Sequence, residues 1–154
     1  MKPSKRIKTL KIDGLDVGGR ADETILELAR ENNIEIPTLC EMPGLTDVGA
    51  CRLCLVEVKG WNKLVPACMT YIEEGMEVFT TSERLQKFRR MTIELLFAER
   101  NHVCAVCVSN GHCELQDLAV NVGMDHVRIP YQTPSLKIDA SHAYYEMDHN
   151  RCVL

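Results

Sequence analysis

Residues 40–68 read Cys40-EMPGLTDVGA-Cys51-RL-Cys54-LVEVKGWNKLVPA-Cys68, so four cysteines are separated by ten, two and thirteen residues. A close pair flanked by two single cysteines at loop distance can bring four thiolates to one small inorganic centre. The close pair and the distant fourth cysteine match the plant-type pattern C-x4-C-x2-C…C, although the first gap here is longer. Gly44 and Gly49 lie in that gap, where glycine lets backbone N–H groups approach sulfur closely. The spacing predicts an iron–sulfur loop rather than a glycine-containing loop with unrelated thiols.

The flanking segments predict a small α+β domain. Residues 7–12 alternate apolar and basic side chains, as a half-buried strand does, and Asp13-Gly14 is a strong turn signal. A helix is predicted over residues 22–32, with Asp22 as its N-cap and Ile25, Leu28 and Ala29 on one face. Further strands are predicted over residues 16–20, 55–58, 63–67 and 77–81, with the cysteine loop after the helix.

Composition excludes several classes of protein. The chain has 154 residues, enough for one ordinary domain or two small ones, and its hydrophobic content of 45% supports a core. A net charge of -4 argues against nucleic acid as the main partner. No apolar run approaches the ~18 residues of a transmembrane helix, and residues 1–10 lack the apolar core of a secretory signal. Eight cysteines in such a chain favour metal ligation in a reducing, cytoplasmic compartment over a disulfide framework.

A second helix is predicted from Ser82, which is a suitable N-cap. Its apolar stripe is predicted to contain Leu85, Phe88, Met91, Thr92, Leu95 and Leu96. The remaining surface carries the basic residues Arg84, Lys87, Arg89 and Arg90. Such a cluster indicates a solvated face or, alternatively, a docking surface for an acidic partner.

Cys104, Cys107 and Cys113 follow this helix in a C-x2-C-x5-C pattern without a fourth nearby cysteine. A site with three thiolates needs another ligand, and neutral imidazole is a suitable one. His102 is favoured because one spacer residue separates it from Cys104; His112 and His126 are the alternatives. Residues 114–122 then predict a short helix that ends at Gly123.

Residues 125–154 contain two prolines and are interpreted as a connector. Near its end, Cys152 resembles the first cysteine of the bacterial C-x2-C-x2-C-x3-C-P pattern. We therefore expect a longer subunit whose next domain carries one or two further [4Fe–4S] clusters, with Cys152 unligated here. A terminal cysteine without a ligand role is the alternative.

Two ordered cysteine patterns in series resemble a known group of redox proteins. The 40–68 pattern followed by the 102–113 pattern resembles the N-terminal region of the large iron–sulfur subunit of complex I, and of [FeFe] hydrogenases and NAD-linked formate dehydrogenases. The local sequence around the second pattern looks most similar to one family. It reads Glu99-Arg100-Asn101-His102-Val103-Cys104-Ala105-Val106-Cys107, followed by Asn110-Gly111-His112-Cys113-Glu114-Leu115-Gln116. That family is the small diaphorase iron–sulfur subunit of bidirectional, NAD-linked [NiFe] hydrogenases.

The resemblance implies a β-grasp, ferredoxin-like [2Fe–2S] domain over residues 1–81, a helical [4Fe–4S] module with one histidine and three cysteine ligands over 82–124, and a connector over 125–154. It implies that the [2Fe–2S] ligands are Cys40, Cys51, Cys54 and Cys68, and that the [4Fe–4S] ligands are His102, Cys104, Cys107 and Cys113. In complex I and [FeFe] hydrogenases the histidine ligand stands four residues before the first cysteine, where this chain has Arg100.

The implied function is electron transfer within a hetero-oligomer. Its partners would be a flavin- and NAD-binding diaphorase subunit and hydrogenase subunits, and no catalytic residue for bond chemistry is expected in this chain. The alternatives are a fragment of the complex I or formate dehydrogenase iron–sulfur subunit and, outside the redox class, a structural zinc module. Zinc ribbons separate their knuckles by ~15–20 residues, far fewer than lie between Cys54 and Cys104.

Overall fold

The computed structural model describes residues 6–99, 102–132 and 135–151. The chain divides into two compact units, Met1–Arg89 and Arg90–Leu154. The elements are β1 (Ile7–Ile12), β2 (Leu15–Arg20), α1 (Ile25–Glu31), β3 (Leu55–Val58), β4 (Val65–Pro66), β5 (Glu77–Phe79), α2 (Glu83–Glu99) and α3 (Glu114–Asn121).

The first unit is built on a mixed five-stranded sheet in the order β2-β1-β5-β3-β4. β1 and β2 form an antiparallel hairpin whose turn residues, Asp13 and Gly14, both have positive φ, at 49° and 85°. Such turns match the twist of the two strands they join. β1 pairs in parallel with β5, while β3 pairs antiparallel with both β5 and β4. The α+β fold class predicted from the sequence is confirmed.

Helix α1 lies against this sheet and begins two residues later than an Asp22 cap would require. Thr24 is the N-cap: its hydroxyl accepts a hydrogen bond from the Glu27 backbone N–H at 3.2 Å, and the Glu27 carboxylate accepts one from the Thr24 N–H at 2.7 Å. The prediction of Asp22 was wrong because this reciprocal pair satisfies two backbone donors at once. The buried face contains Ile25, Leu26, Leu28 and Ala29.

Helix α2 buries a face that matches the predicted one only in part, at Leu85 and Leu96. Ser82 accepts a hydrogen bond from the Leu85 N–H at 3.1 Å, so the predicted N-cap contact is present. The deeply buried positions are Leu85, Arg89, Ile93, Glu94, Leu96 and Ala98. Phe88, Met91 and Leu95, which were expected in the apolar stripe, are instead exposed. Two charged side chains thus occupy the buried face, because each finds a polar partner there.

The second unit continues from α2 through a 3₁₀ turn, Cys104–Val106, to α3 and Gly123, whose φ is +65°. Asp139 and Met147 pair as an antiparallel bridge with N···O distances of 2.9 and 2.8 Å, so the predicted connector contains a closed local loop. No helix in the described ranges is long and apolar enough to cross a membrane. The boundaries after residues 81 and 124 stay predictions, and Cys152 lies outside the described residues.

Candidate metal centres

Strand pairing brings Cys54 and Cys68 together in the first unit. Cys54 directly precedes β3, and Cys68 follows β4 by two residues. The β3–β4 register continues past the strands because the Ala67 N–H donates to the Cys54 carbonyl at 3.0 Å. The two Sγ atoms are consequently 3.4 Å apart, and both residues are almost fully buried.

Cys40 and Cys51 form the other half of this centre. The Cys51 backbone N–H points at the Cys40 Sγ, with an N···S distance of 3.4 Å. Helix α1 holds the start of the loop, because Arg30 near its C-terminus forms an ion pair with Glu41, the residue after Cys40. The N-terminus of the same helix donates to the Ala67 carbonyl from Leu26. One short helix therefore fixes both ends of the 40–68 loop.

The loop has two glycines with positive φ, and a side chain would meet other atoms at only one of them. Gly49 has φ of +60°, and a Cβ at that position would lie 2.8 Å from the Met69 Cγ and 3.9 Å from the Cys68 Sγ. Gly44, by contrast, has φ of +86° but no atom within 4 Å of its would-be Cβ. The loop therefore approaches the Met69 side chain closely at Gly49, beside Cys68.

Burial changes the acidity of the thiols at this centre. It raises the pKa of the Cys51 thiol, and it raises the pKa of Cys68 to about 12, with the hydrogen bond to Cys54 adding to the shift. Both groups are therefore thiols near neutral pH in the metal-free protein. Metal binding requires thiolates, so formation of a centre here must release protons.

The donor set fits a cluster with two protein ligands per iron. Within the described residues no three His, Cys, Asp or Glu side chains converge closely enough to hold one metal ion. The cysteines instead form two pairs, Cys40 with Cys51 and Cys54 with Cys68. Bridging sulfides supply the remaining ligands of each iron in a [2Fe–2S] cluster, so paired thiolates are what that cluster needs.

A second candidate centre lies wholly in the second unit. It is a cavity of about 190 Å³. Its lining includes His102, Cys104, Cys107 and Cys113, with Phe97, Asn110, Leu115 and Gln116 among the other residues. Local turns place the sulfurs: Cys107 N–H donates to the Cys104 carbonyl at 3.1 Å, and Cys113 is the N-cap residue of α3.

Gln116 closes the loop between the second and third cysteines of this centre. Its amide oxygen accepts from the Gly111 N–H and its amide nitrogen donates to the Asn110 side chain, both at 3.0 Å. No role was predicted for Gln116 from the sequence. Gln116 lies in the first turn of α3, and that position places its side chain beside the loop that ends at Cys113.

The three candidate histidines lie in different environments. His102 Nε2 is 3.1 Å from the Leu96 carbonyl oxygen, and its ring packs beside Phe97 with centroids 5.3 Å apart. His112 is exposed and is not among the residues that line the cavity. His126 pairs with Asp125 at 2.8 Å. Only His102 of these three candidates lines the cavity that also contains the three cysteines.

The position of Arg89 beside the first centre was not predicted from the sequence. Arg89 was assigned to a solvated or docking face, but it is only 4% exposed. Its Nε donates to the Leu53 carbonyl at 3.1 Å and its Nη2 to the Leu55 carbonyl at 2.9 Å, on both sides of Cys54. The signal was available, because position 89 falls one helical turn after Leu85 and one before Ile93.

The mixed sheet with its paired cysteines, followed by a helical segment with a cysteine-lined cavity, defines an iron–sulfur protein of the electron-transfer class. Residues 5–83 match the family described as the 2Fe-2S iron-sulfur cluster binding domain, and residues 89–128 match the NADH-ubiquinone oxidoreductase-G iron-sulfur binding region. The chain belongs to this 2Fe-2S cluster binding family. The predicted pair of cofactors, a [2Fe–2S] and a [4Fe–4S] cluster, is confirmed, and both matches are to iron–sulfur families rather than to a structural zinc module.

Individual relatives support the expected resemblance. The chain is 33% identical over 144 residues to the NAD-reducing hydrogenase HoxS subunit gamma of Cupriavidus necator, covering 94% of this chain and 61% of that subunit. It is 40% identical over 121 residues to the NADP-reducing hydrogenase subunit HndD of Solidesulfovibrio fructosivorans, covering 75% of this chain and 21% of the other. A crystal structure of an NAD+-reducing [NiFe]-hydrogenase in the H2-reduced state matches with a TM-score of 0.87 and 37% identity, over 96% of this chain and 62% of that one.

The resemblance to the hydrogenase subunit and to the complex I region is thereby confirmed, and the chain is an iron–sulfur electron-transfer protein homologous to the hydrogenase gamma subunit. It spans 15% to 17% of the length of several other curated relatives.

Proposed function

We propose that this chain relays single electrons between a flavin subunit that exchanges hydride with NAD and a hydrogenase, within one hetero-oligomeric complex. The observation that carries the proposal is the similarity to an NAD+-reducing [NiFe]-hydrogenase chain over 96% of this chain, which includes both cysteine centres. One-electron transfer is the chemistry that bound iron–sulfur clusters supply.

Cys40, Cys51, Cys54 and Cys68 would hold the [2Fe–2S] cluster in this role. The 3.4 Å separation of the Cys54 and Cys68 sulfurs favours these two thiolates as ligands of one iron, with Cys40 and Cys51 on the other. Three of the four cysteines are almost fully buried, whereas Cys40 is partly exposed. Cys40 therefore lies on the side from which an electron-transfer partner would approach.

His102, Cys104, Cys107 and Cys113 would hold the [4Fe–4S] cluster. A carbonyl oxygen only accepts hydrogen bonds, so the contact with the Leu96 carbonyl requires the hydrogen on Nε2 of neutral His102. In that tautomer Nδ1 carries the lone pair, so His102 would bind iron through Nδ1. The Leu96 carbonyl would orient the ring, as outer-shell acceptors do for metal-bound histidines.

Several features support an adaptor rather than a complete oxidoreductase. The sequence contains no G-x-G-x-x-G turn between a strand and a helix, which is the usual pyrophosphate cradle of dinucleotide-binding proteins. The loop of the first centre also exposes three apolar side chains, which suit contact with another protein: Met42, Leu45 and Val48. We propose the flavin- and NAD-binding subunit and the hydrogenase subunits as the partners, in the cytoplasm.

The second candidate function is the same relay in a formate dehydrogenase or complex I subunit. It is favoured by the match of residues 89–128 to the complex I region. Purification from the native host followed by mass spectrometry of the co-purifying subunits separates the two proposals, because hydrogenase subunits are expected only in the first.

The ligand assignment is tested by electron paramagnetic resonance of anaerobically reduced protein. Cys51→Ser should weaken the [2Fe–2S] signal and leave the [4Fe–4S] signal largely intact, because the two centres use separate segments of the chain. Loss of both signals from protein that stays folded would count against two separate sites.

The histidine assignment is tested with a matched pair of variants. His102→Ala should perturb the [4Fe–4S] signal, whereas His112→Ala should leave it close to that of the parent protein, because His112 is exposed and outside the cavity. Equal effects of the two substitutions would move the fourth ligand elsewhere.

A further inference from the structure

Arg89 is a buried cation at an unusual place in the first unit. Its side chain extends from α2 into the protein interior and crosses the backbone at Cys54. There it donates hydrogen bonds to the carbonyls of Leu53 and Leu55. These carbonyls belong to the residues on either side of the cysteine. The guanidinium is therefore held in a fixed position relative to the Cys54 sulfur.

No carboxylate in the described part of the chain forms an ion pair with Arg89, although nine such pairs involve other residues. Burial lowers the pKa of Arg89, and attraction to a Cys54 thiolate and to Asp13 acts in the opposite direction. Asp13 itself accepts hydrogen bonds from the backbone and hydroxyl of Thr80. A buried charge without a paired countercharge is costly, so the anion that balances Arg89 should be sought at the cysteine centre.

We propose that Arg89 is a positioning and tuning residue of the [2Fe–2S] centre, whose fixed positive charge beside Cys54 raises the reduction potential of the bound cluster. The inference rests on the proposed ligation by Cys54. Four thiolates make the centre negatively charged, and one-electron reduction adds a further negative charge. A nearby fixed cation stabilises the reduced form more than the oxidised form, since the attraction grows with the charge it opposes.

The expected size follows from Coulomb's law. A buried unit charge acting over roughly 10 Å at an effective dielectric constant of about 20 changes a one-electron equilibrium by about tenfold. Tenfold corresponds to about 59 mV for a one-electron couple. Removal of the charge should therefore lower the midpoint potential of the [2Fe–2S] signal by about that amount.

The test is a redox titration of the full chain with its clusters, followed by the [2Fe–2S] electron paramagnetic resonance signal. Arg89→Met removes the charge while keeping much of the length, and should shift the equilibrium about tenfold towards the oxidised form. Lys87→Met removes the same charge from an exposed position two residues away on α2, and should shift it less than about twofold because solvent screens that charge. Arg89→Lys retains the charge and should stay close to the parent protein.

Two results would overturn the inference. One is a redox equilibrium constant of the [2Fe–2S] cluster in Arg89→Met that lies within about twofold of the value in the Lys87→Met control. The other is an equal shift in Arg89→Lys and Arg89→Met, which would mean that Arg89 acts only through the two carbonyl hydrogen bonds. If Arg89→Met does not retain the cluster, Arg89→Gln replaces it in the comparison with Lys87→Met, because glutamine is neutral but keeps an N–H donor for one carbonyl. An unchanged [2Fe–2S] signal in Cys54→Ser would instead refute the proposed ligands, independently of the Arg89 series.

Discussion

The close approach at Gly49 provides a quantitative test of the loop that surrounds the first centre. Gly49→Ala adds a methyl group at φ of +60°, and that methyl would lie 2.8 Å from the Met69 Cγ. A positive φ costs an alanine about 1–2 kcal/mol. The steric overlap, which forces Met69 to move beside Cys68, should cost about 1–2 kcal/mol more.

Gly44→Ala is the matched control, because Gly44 shares the loop and has φ of +86° but nothing within 4 Å of the added methyl. It should show only the backbone cost. With a urea dependence of about 2 kcal/mol/M, Gly49→Ala should lose its [2Fe–2S] absorption at a urea midpoint about 0.5–1 M below that of Gly44→Ala.

Iron content per chain measures how much cluster each variant holds. The urea midpoint of the visible absorption measures how much the substitution destabilises the loop around the cluster. The double substitution Gly49→Ala with Met69→Ala removes the atom that the new methyl would meet, so it should recover most of the difference from the Gly44→Ala control, relative to Met69→Ala alone. Equal midpoints for Gly49→Ala and Gly44→Ala would refute the argument that contact beside Cys68 makes Gly49 necessary.

Three further predictions concern the two helices α1 and α2 and the cofactors that the isolated chain retains. Thr24→Ala should lower the free energy of unfolding by about 1 kcal/mol in urea denaturation, whereas Asp22→Ala should have little effect, because Thr24 is the observed N-cap. Hydrogen bonding to Arg128 lowers the pKa of Glu94, so the stabilisation by Glu94 is complete above the ordinary glutamate pKa and is lost as the pH falls through the lowered value. Glu94→Gln should therefore reduce the acid dependence of thermal unfolding and cost about 1–2 kcal/mol near neutral pH, as circular dichroism would show. Finally, the isolated chain should retain neither flavin nor NAD in equilibrium dialysis; stoichiometric flavin would contradict the proposed role.

The local elements of the fold follow from neighbouring residues and could be predicted from the sequence. The alternating pattern of residues 7–12 and the Asp13-Gly14 turn predicted the first hairpin, and both turn residues have the positive φ that this turn requires. The cysteine spacing likewise predicted an iron–sulfur loop, because ligands of one small centre must be close along the chain or at the ends of one loop. Element type, cofactor class and fold class could therefore be predicted from the sequence alone.

The identity of the buried charges depended on the tertiary structure. Arg89 reaches carbonyls that lie 36 and 34 residues away, and Glu94 meets Arg128 at a separation of 34 residues. A charged residue at a helical position is usually solvated, and only a distant partner makes its burial favourable. The N-cap of α1, by contrast, was a local feature: Thr24 and Glu27 have the capping-box spacing, so the sequence itself favoured Thr24 over Asp22. Sequence thus determined which chemical groups are present and how they are spaced along the chain, whereas the tertiary structure decided which charges are buried and which carbonyls, carboxylates and sulfurs they contact, because those energies arise between residues far apart in the chain.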